Sequence, residues 1–146
     1  MDNGAASDSG SSSDFTEILR VLAEYCHSVD EGRFDDFEKL FTEDAVVTAR
    51  LAGTTYRGPA EIRGFLEVQP PEMRGLHATV NPDIAVEGDA ATVRADFFVL
   101  VPRANGAVVG AWGFYHDRLV RNGDRWLFQE RQVDTRWRVS DTDLAR

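Results

Sequence analysis

The sequence predicts an α+β fold, in which helices come first and an antiparallel sheet follows. Two observations carry this prediction. Up to about residue 66 the apolar residues recur three or four positions apart, as they do along one face of a helix. From Leu76 onward they alternate, as in half-buried strands. Such segregated elements pack with helices on one face of the sheet, so we expect a cone-shaped barrel: a strongly bent, mostly antiparallel sheet wrapped around by three N-terminal helices.

The first helix should follow a mobile polar tail of residues 1–13, with Ser13 or Asp14 as its N-cap. Gly32 is typical of a helix end. The apolar stripe of this helix consists of Ile18, Leu22, Tyr25 and Val29. The tail precedes a single domain spanning residues 14–138, and a polar C-terminal tail covers residues 139–146.

Two more helices and a short strand complete the first half. The strand is predicted over Ala45–Arg50, and the third helix begins at Pro59, a residue favoured in the first helical turn. The second helix is marked by Phe34, Phe37, Leu40 and Phe41, and the third by Ile62, Phe65 and Leu66.

The second half predicts four strands joined by short turns that contain glycine or asparagine. A loop over Gln69–Gly75 precedes them, and Asn81-Pro82 should bend the first strand. The strands are predicted over Leu76–Val86, Ala91–Val101, Val108–Arg121 and Arg125–Arg136.

A bent sheet covered by helices encloses an apolar interior, which suits a small hydrophobic ligand. Tyr56 precedes a turn and is a further candidate for ligand binding. The candidate pocket walls are Met73, Phe97, Val99, Trp112 and Phe114, although a role in the plain core explains each of them equally well. Phe98 and Leu100 have the opposite parity and would be exposed in a monomer, so a homodimer, or alternatively a homotrimer, is expected.

Composition limits the partners and the compartment. The chain has 146 residues, with 25 acidic against 16 basic side chains and a net charge of -9, which disfavours nucleic acid and anionic membranes as partners. The one cysteine excludes an internal disulfide. The longest apolar run, Phe97–Val101, is too short for a bilayer, and no cationic segment followed by an apolar run opens the chain. We therefore expect a cytoplasmic protein.

Asp30 is the main candidate for chemistry. It follows the apolar stripe directly, and a carboxylate placed under apolar surface costs free energy unless it is paired. His77 is the favoured partner among the three histidines, with His27 assigned to the surface and His116 to an interface or a structural role. An Asp–His pair fixes the imidazole tautomer and leaves the other ring nitrogen as a base. Alternatively, Asp30 only ends the helix. No histidine cluster has metal-ligand spacing, so neither metal nor cofactor is expected.

Five segments, in this order, resemble the SnoaL-like branch of the nuclear-transport-factor-two-like superfamily. They are YCHSVDEGRFDDFEKLFTEDA, YRGPAEIRGF, LHATVNPDIAVEGDAATV, YHDRLVRNGDRWLF and VDTRW, and the resemblance covers about Phe15 to Trp137. Within the branch the chain is most similar to scytalone dehydratase and the bile-acid dehydratases. That resemblance implies a catalytic Asp–His dyad at Asp30 and His77, with an assisting tyrosine at Tyr25.

The chain also departs from these enzymes. Arg103 stands where scytalone dehydratase has a second histidine, and Ala49 stands where steroid isomerases carry their base. The resemblance therefore implies a dehydratase-like lyase or isomerase acting on a hydrophobic cyclic metabolite, such as a polyketide or a steroid-like compound. The alternatives are a polyketide cyclase, including a pericyclic one, and a non-catalytic binding module. The roles of Arg136 and Arg138 stay open.

Overall fold

The computed structural model describes residues 10–69 and 74–140, and it confirms the predicted α+β order. None of the helices in these residues is long and apolar enough to cross a membrane. The elements are α1 (Ser12–Asp30), α2 (Phe34–Glu38), β1 (Phe41–Ala49), β2 (Thr54–Arg57), α3 (Gly58–Glu67), β3 (Leu76–Glu87), β4 (Ala90–Arg103), β5 (Gly106–Asn122) and β6 (Arg125–Arg138).

The strands form one curved sheet. In the described residues it has six strands in the order β2-β1-β6-β5-β4-β3. All neighbours are antiparallel except β1 and β6, which run parallel. The edge strands β2 and β3 are not paired with each other, so the sheet is open and the predicted barrel is not closed.

Helix α1 begins with a capping box. The Ser11 hydroxyl accepts a hydrogen bond from the Asp14 N–H at 3.2 Å, and the Asp14 carboxylate accepts one from the Ser11 N–H at 3.0 Å. The N-cap is therefore Ser11, not Ser13 or Asp14, and the predicted boundary between tail and domain falls inside the helix. The helix ends as predicted before Gly32, whose φ of 68° suits a residue without a side chain.

The segment after α1 differs from the prediction. Helix α2 has five residues. Phe41, which was predicted to belong to this helix, begins β1 instead, because it pairs with β6. Phe41 lies opposite Phe128 in the parallel ladder, and the Phe128 N–H donates to the Leu40 carbonyl at 2.8 Å. Strand β2 was not predicted, since its four residues, TTYR, show no apolar alternation. Its pairing with β1 supplies the order that the local sequence lacks.

The core lies between the helices and the inner sheet face. Its fully buried members include Ile18, Phe37, Ala95, Leu119 and Phe128. The predicted inner face of β4 is confirmed, because its alternate residues from Ala91 to Val101 are buried apart from the half-buried Val99. The predicted bend in β3 is also confirmed, since the β3–β4 register shifts between Val80 and Asp83. One end of this core remains open as a cavity.

Candidate active site

The end of α1 and the start of β3 place Asp30 and His77 in direct contact. The Asp30 Oδ1 atom lies 2.6 Å from the His77 Nδ1 atom. The same carboxylate accepts the backbone N–H of His77, at 3.0 Å to Oδ2 and 3.2 Å to Oδ1. Because the backbone and the imidazole are both held, the position of the ring is fixed relative to α1.

This contact determines which ring nitrogen of His77 carries the proton. A carboxylate only accepts, so in the neutral imidazole Nδ1 donates and Nε2 keeps its lone pair. Among the described residues, Nε2 has no hydrogen-bond partner. The side chains of Asp30 and His77 are only 20% and 22% exposed. The pair therefore has the arrangement of an oriented general base.

Asp30 and His77 line an apolar cavity of about 190 Å³ between the helices and the inner sheet face. Within the described residues, no three His, Cys, Asp or Glu side chains converge as a metal site requires. The apolar walls are Val29, Phe34, Phe65, Leu66, Phe97, Val99, Val101, Ala111 and Val133. The polar lining consists of Tyr25, Asp30, Gln69, Arg74, His77, Tyr115, Thr135 and Arg138.

Some of the predicted pocket walls contact this cavity and others do not. Phe97 and Val99 line it. Met73 lies outside the described residues. Tyr56 is not part of the lining; it stacks on Phe65 with ring centroids 4.6 Å apart, so it supports the wall from behind.

The prediction for Trp112 and Phe114 is corrected, because both lie on the outer sheet face. Trp112 is 45% exposed, and Phe114 packs beneath the guanidinium groups of Arg94 and Arg136. Tyr115, with the opposite parity, is buried and lines the cavity instead. The sequence could not decide between the two faces, since both parities of β5 carry aromatic residues.

Tyr25 and Tyr115 line a deeply buried part of the cavity, which is its inner end. Tyr25 is 7% exposed, and its ring is 5.3 Å from that of Phe37, 5.8 Å from Phe128 and 6.1 Å from Tyr115. Burial raises the pKa of Tyr25, and it raises that of Tyr115 well above the usual value. Both phenols therefore keep their protons at neutral pH and remain hydrogen-bond donors.

A buried ion pair that the sequence did not predict lies behind the two tyrosines. Arg131 and Asp117 have fully buried side chains, and the guanidinium is bidentate, with Nε 2.8 Å from Oδ1 and Nη2 2.7 Å from Oδ2. Arg131 Cζ lies 3.8 Å from the Tyr115 ring, 4.1 Å from the Tyr25 ring and 4.5 Å from the Phe128 ring. This places a cation behind the inner end of the cavity.

Fold and site together define a small α+β protein with an apolar cavity and an oriented Asp–His pair in its wall. The SnoaL-like domain family matches residues 10–132, so the chain belongs to this family, as its resemblance predicted. An uncharacterized protein of Mycobacterium tuberculosis is 32% identical over 129 residues, which cover 85% of this chain and 86% of that protein. An uncharacterized protein of Mycobacterium bovis matches equally well.

Solved structures share the fold. Aln2 from a Streptomyces species superposes with a TM-score of 0.78 at 21% identity, covering 94% of this chain and 99% of Aln2. ActVI-ORFA from Streptomyces coelicolor gives 0.74 at 22% identity, covering 84% and 96%. A candidate scytalone dehydratase from Novosphingobium aromaticivorans gives 0.73 at 24% identity, covering 86% and 85%. At these identities the likeness establishes the fold alone.

Proposed function

We propose that this protein is a cofactor-independent lyase or isomerase of the dehydratase type, acting on a hydrophobic cyclic metabolite such as a polyketide or a steroid-like compound. One observation carries the proposal: the 2.6 Å contact between Asp30 and His77 lies in the wall of an apolar cavity. A histidine with its Nδ1 proton held by a carboxylate is suited to remove a proton through Nε2.

The reaction begins with proton abstraction. His77 Nε2 takes a proton from the carbon next to a substrate carbonyl, and Asp30 stabilises the imidazolium that forms. Tyr25, a neutral donor, hydrogen-bonds the developing enolate oxygen. The imidazolium then returns the proton to a hydroxyl on the next carbon; the C–O bond breaks, a C=C bond forms and water leaves. Without a leaving group, the proton returns to another carbon and the result is isomerisation.

The lining of the cavity supports a hydrophobic substrate. Most of its residues are aliphatic or aromatic, and its formally charged residues besides Asp30 are Arg74 and Arg138. The cavity of about 190 Å³ is small for a ligand pocket, which favours a compact substrate. The names of the structural relatives are compatible with this class, since one of them is a candidate scytalone dehydratase.

Replacement of Asp30 by Asn tests the proposal. The new amide can accept the backbone N–H of His77 through its oxygen, but its NH₂ group donates to Nδ1. This forces the proton onto Nε2, so the base is lost while the shape is kept. We expect turnover to fall by about 10²- to 10⁴-fold. The assay offers cyclic β-hydroxy ketones and follows the absorbance of the conjugated enone, with deuterium uptake from D₂O detecting proton abstraction that gives no product.

His116→Gln is the matched control. His116 lies opposite Arg94 on β4 and Gln132 on β6 in the sheet, and it does not line the cavity. The substitution should leave turnover within about twofold of wild type, which is within the range of near-neutral surface changes. A folded Asp30→Asn protein with unchanged turnover would contradict the proposal. Cyclisation of a polyketide on an inert template would then explain the cavity better.

A further inference from the structure

The inner end of the cavity has a cation behind it that the proposed mechanism does not use. Arg131 is fully buried, and its guanidinium carbon faces the rings of Tyr25 and Tyr115 at 4.1 and 3.8 Å. Both tyrosines line the cavity, whereas Arg131 does not. Arg131 therefore cannot contact a ligand directly, and the two tyrosines are the groups that lie between them.

The ion pair has a defined polarity. Asp117 takes the Nε and Nη2 edge of Arg131. Nη1 makes no well-formed hydrogen bond within residues 10–69 and 74–140, and the Tyr25 hydroxyl is the group toward which the guanidinium donates, which lowers the pKa of Tyr25 against the larger effect of burial. The guanidinium stacks on the tyrosines and Asp117 does not line the cavity. The pair is therefore a dipole with its positive end at the tyrosine rings.

We propose that Arg131, acting through Tyr25 and Tyr115, makes the inner end of the cavity selective for ligands with a negatively charged oxygen, such as enolates and phenolates. Arg131 is a positioning residue in this proposal, since it does not touch the ligand. A cation over the face of a phenol withdraws electron density and strengthens the O–H donor. In a site with little water this field acts over a short distance with little screening.

The proposal deepens the proposed function, because it names the state of the substrate that the site favours. It rests on that function only for the statement that an enolate forms. Burial keeps both tyrosines protonated by raising the pKa of each, so the negative charge resides on the ligand. If the ion pair only held β5 against β6, the cavity would bind the neutral and anionic forms of a phenol without preferring the anion.

The test uses 2-naphthol, a flat phenol whose neutral and anionic forms differ in absorbance and fluorescence. The quantity measured is the apparent pKa of the naphthol bound to wild-type protein, compared with that of free naphthol. We expect the bound value to be lower by at least about one unit, which is a tenfold preference for the anion. A bound value equal to or above the free one overturns the proposal without any variant.

The double variant Arg131→Met with Asp117→Leu locates the origin of the preference. Replacing a whole buried ion pair by apolar residues often keeps a protein folded, whereas removing one partner strands a charge. The preference for the anion should disappear, while neutral naphthol binds within about threefold of wild type. The matched control, Asp14→Asn with Arg121→Gln, removes an ion pair whose residues do not line the cavity and should retain the preference.

His77→Gln separates this proposal from the catalytic one. If the preference for the anion is lost in His77→Gln, an imidazolium is its origin and the Arg131 proposal is overturned. If it persists there and is lost in the double variant, the proposal holds. The result for Asp30→Asn turnover is independent, so either proposal can fail alone. If the double variant does not fold, Tyr25→Phe and Tyr115→Phe replace it, and each of them must reduce the preference for the anion. The proposal is overturned if either variant keeps the full preference.

Discussion

Asp14 shows how one residue joins distant parts of the chain. Its carboxylate caps α1 through the Ser11 N–H, binds Arg121 Nη1 at 2.6 Å and accepts from the indole of Trp126 at 3.3 Å. Arg121 and Trp126 lie on β5 and β6, so the contacts of Asp14 tie the start of α1 to the sheet. The hydrogen bond from Arg121, followed by that from Ser11, holds the pKa of Asp14 well below its usual 3.8.

This depressed pKa predicts an acid-sensitive contribution to stability. The carboxylate stabilises the fold fully above the unfolded pKa of 3.8, and the contribution is lost as the pH falls through the lower folded value. Asp14→Asn should therefore be less stable than wild type at pH 7, and the difference should shrink toward pH 2. Urea midpoints at both pH values measure it. Asp44→Asn, which removes an exposed carboxylate, is the control, and an Asp14 difference that does not change with pH contradicts the assignment.

At the residue scale, the Asp30–His77 contact was predicted from chemistry and resemblance together. A carboxylate after an apolar stripe required a partner, and the resemblance to the dehydratases favoured His77 among the three histidines. Arg131 and Asp117 were not predictable, because their meeting depends on a bulge. The register of β5 and β6 shifts between Arg118 and Leu119, so Gln129 is skipped and the inward parity of β6 reverses. Strict alternation from Trp126 and Phe128 would place Arg131 on the outer face.

At the scale of elements, prediction succeeded where the signal was local. The stripe of α1 and the glycine turns at residues 88 and 123 specify their own conformations, and both glycines have positive φ. The region between α1 and α3 was harder to predict, since β1 depends on a parallel partner that lies 84 to 87 residues further along the chain and β2 depends on β1. Pairing over such distances leaves little local trace in the sequence.

Gly113 marks a second bulge, and it supports a prediction about the sheet. The β5–β6 register shifts between Trp112 and Gly113. A Cβ atom at Gly113 would collide with the carbonyl oxygen of Asp134 and would lie 2.9 Å from the Thr135 Cα, both on the neighbouring strand. Backbone yields less readily than side chains, so Gly113→Ala should lower the free energy of unfolding by about 1–3 kcal/mol, as overpacking does.

Gly64 provides the matched control for this substitution. It lies within α3, and a Cβ atom there would meet nothing within 4 Å. Gly64→Ala should raise stability by about 0.5–1 kcal/mol through helix propensity alone. Urea unfolding of the two variants measures the contrast. Equal effects of the two substitutions on the free energy of unfolding would show that the close approach of the backbone does not determine the cost of a side chain at Gly113.

At the scale of the whole molecule, the outer sheet face is more apolar than a monomer requires. Phe98, Trp112 and Trp137 form a row across β4, β5 and β6, and each tryptophan is 45% exposed. Charges of both signs flank the row, with Arg94 and Arg136 packed on the outer-facing Phe114. Asp96 and Asp134 lie opposite Phe114 in the two ladders. Around a two-fold axis, such a face can pair its own opposite charges.

We expect a second copy of the chain to cover this face, as the parity of Phe98 and Leu100 suggested from the sequence. Burying two tryptophans per protomer supplies the aromatic anchors that interfaces prefer. Trp112→Glu should therefore shift a wild-type dimer to monomer, with thermal unfolding of the monomer still cooperative. Sedimentation equilibrium over a range of protein concentrations measures the shift. Leu51→Glu, at a position 67% exposed in the turn after β1, is the control and should leave the dimer intact. A wild-type protein that is monomeric at every concentration contradicts this prediction but leaves the cavity and its Asp–His pair unaffected, since all of their described residues come from one chain.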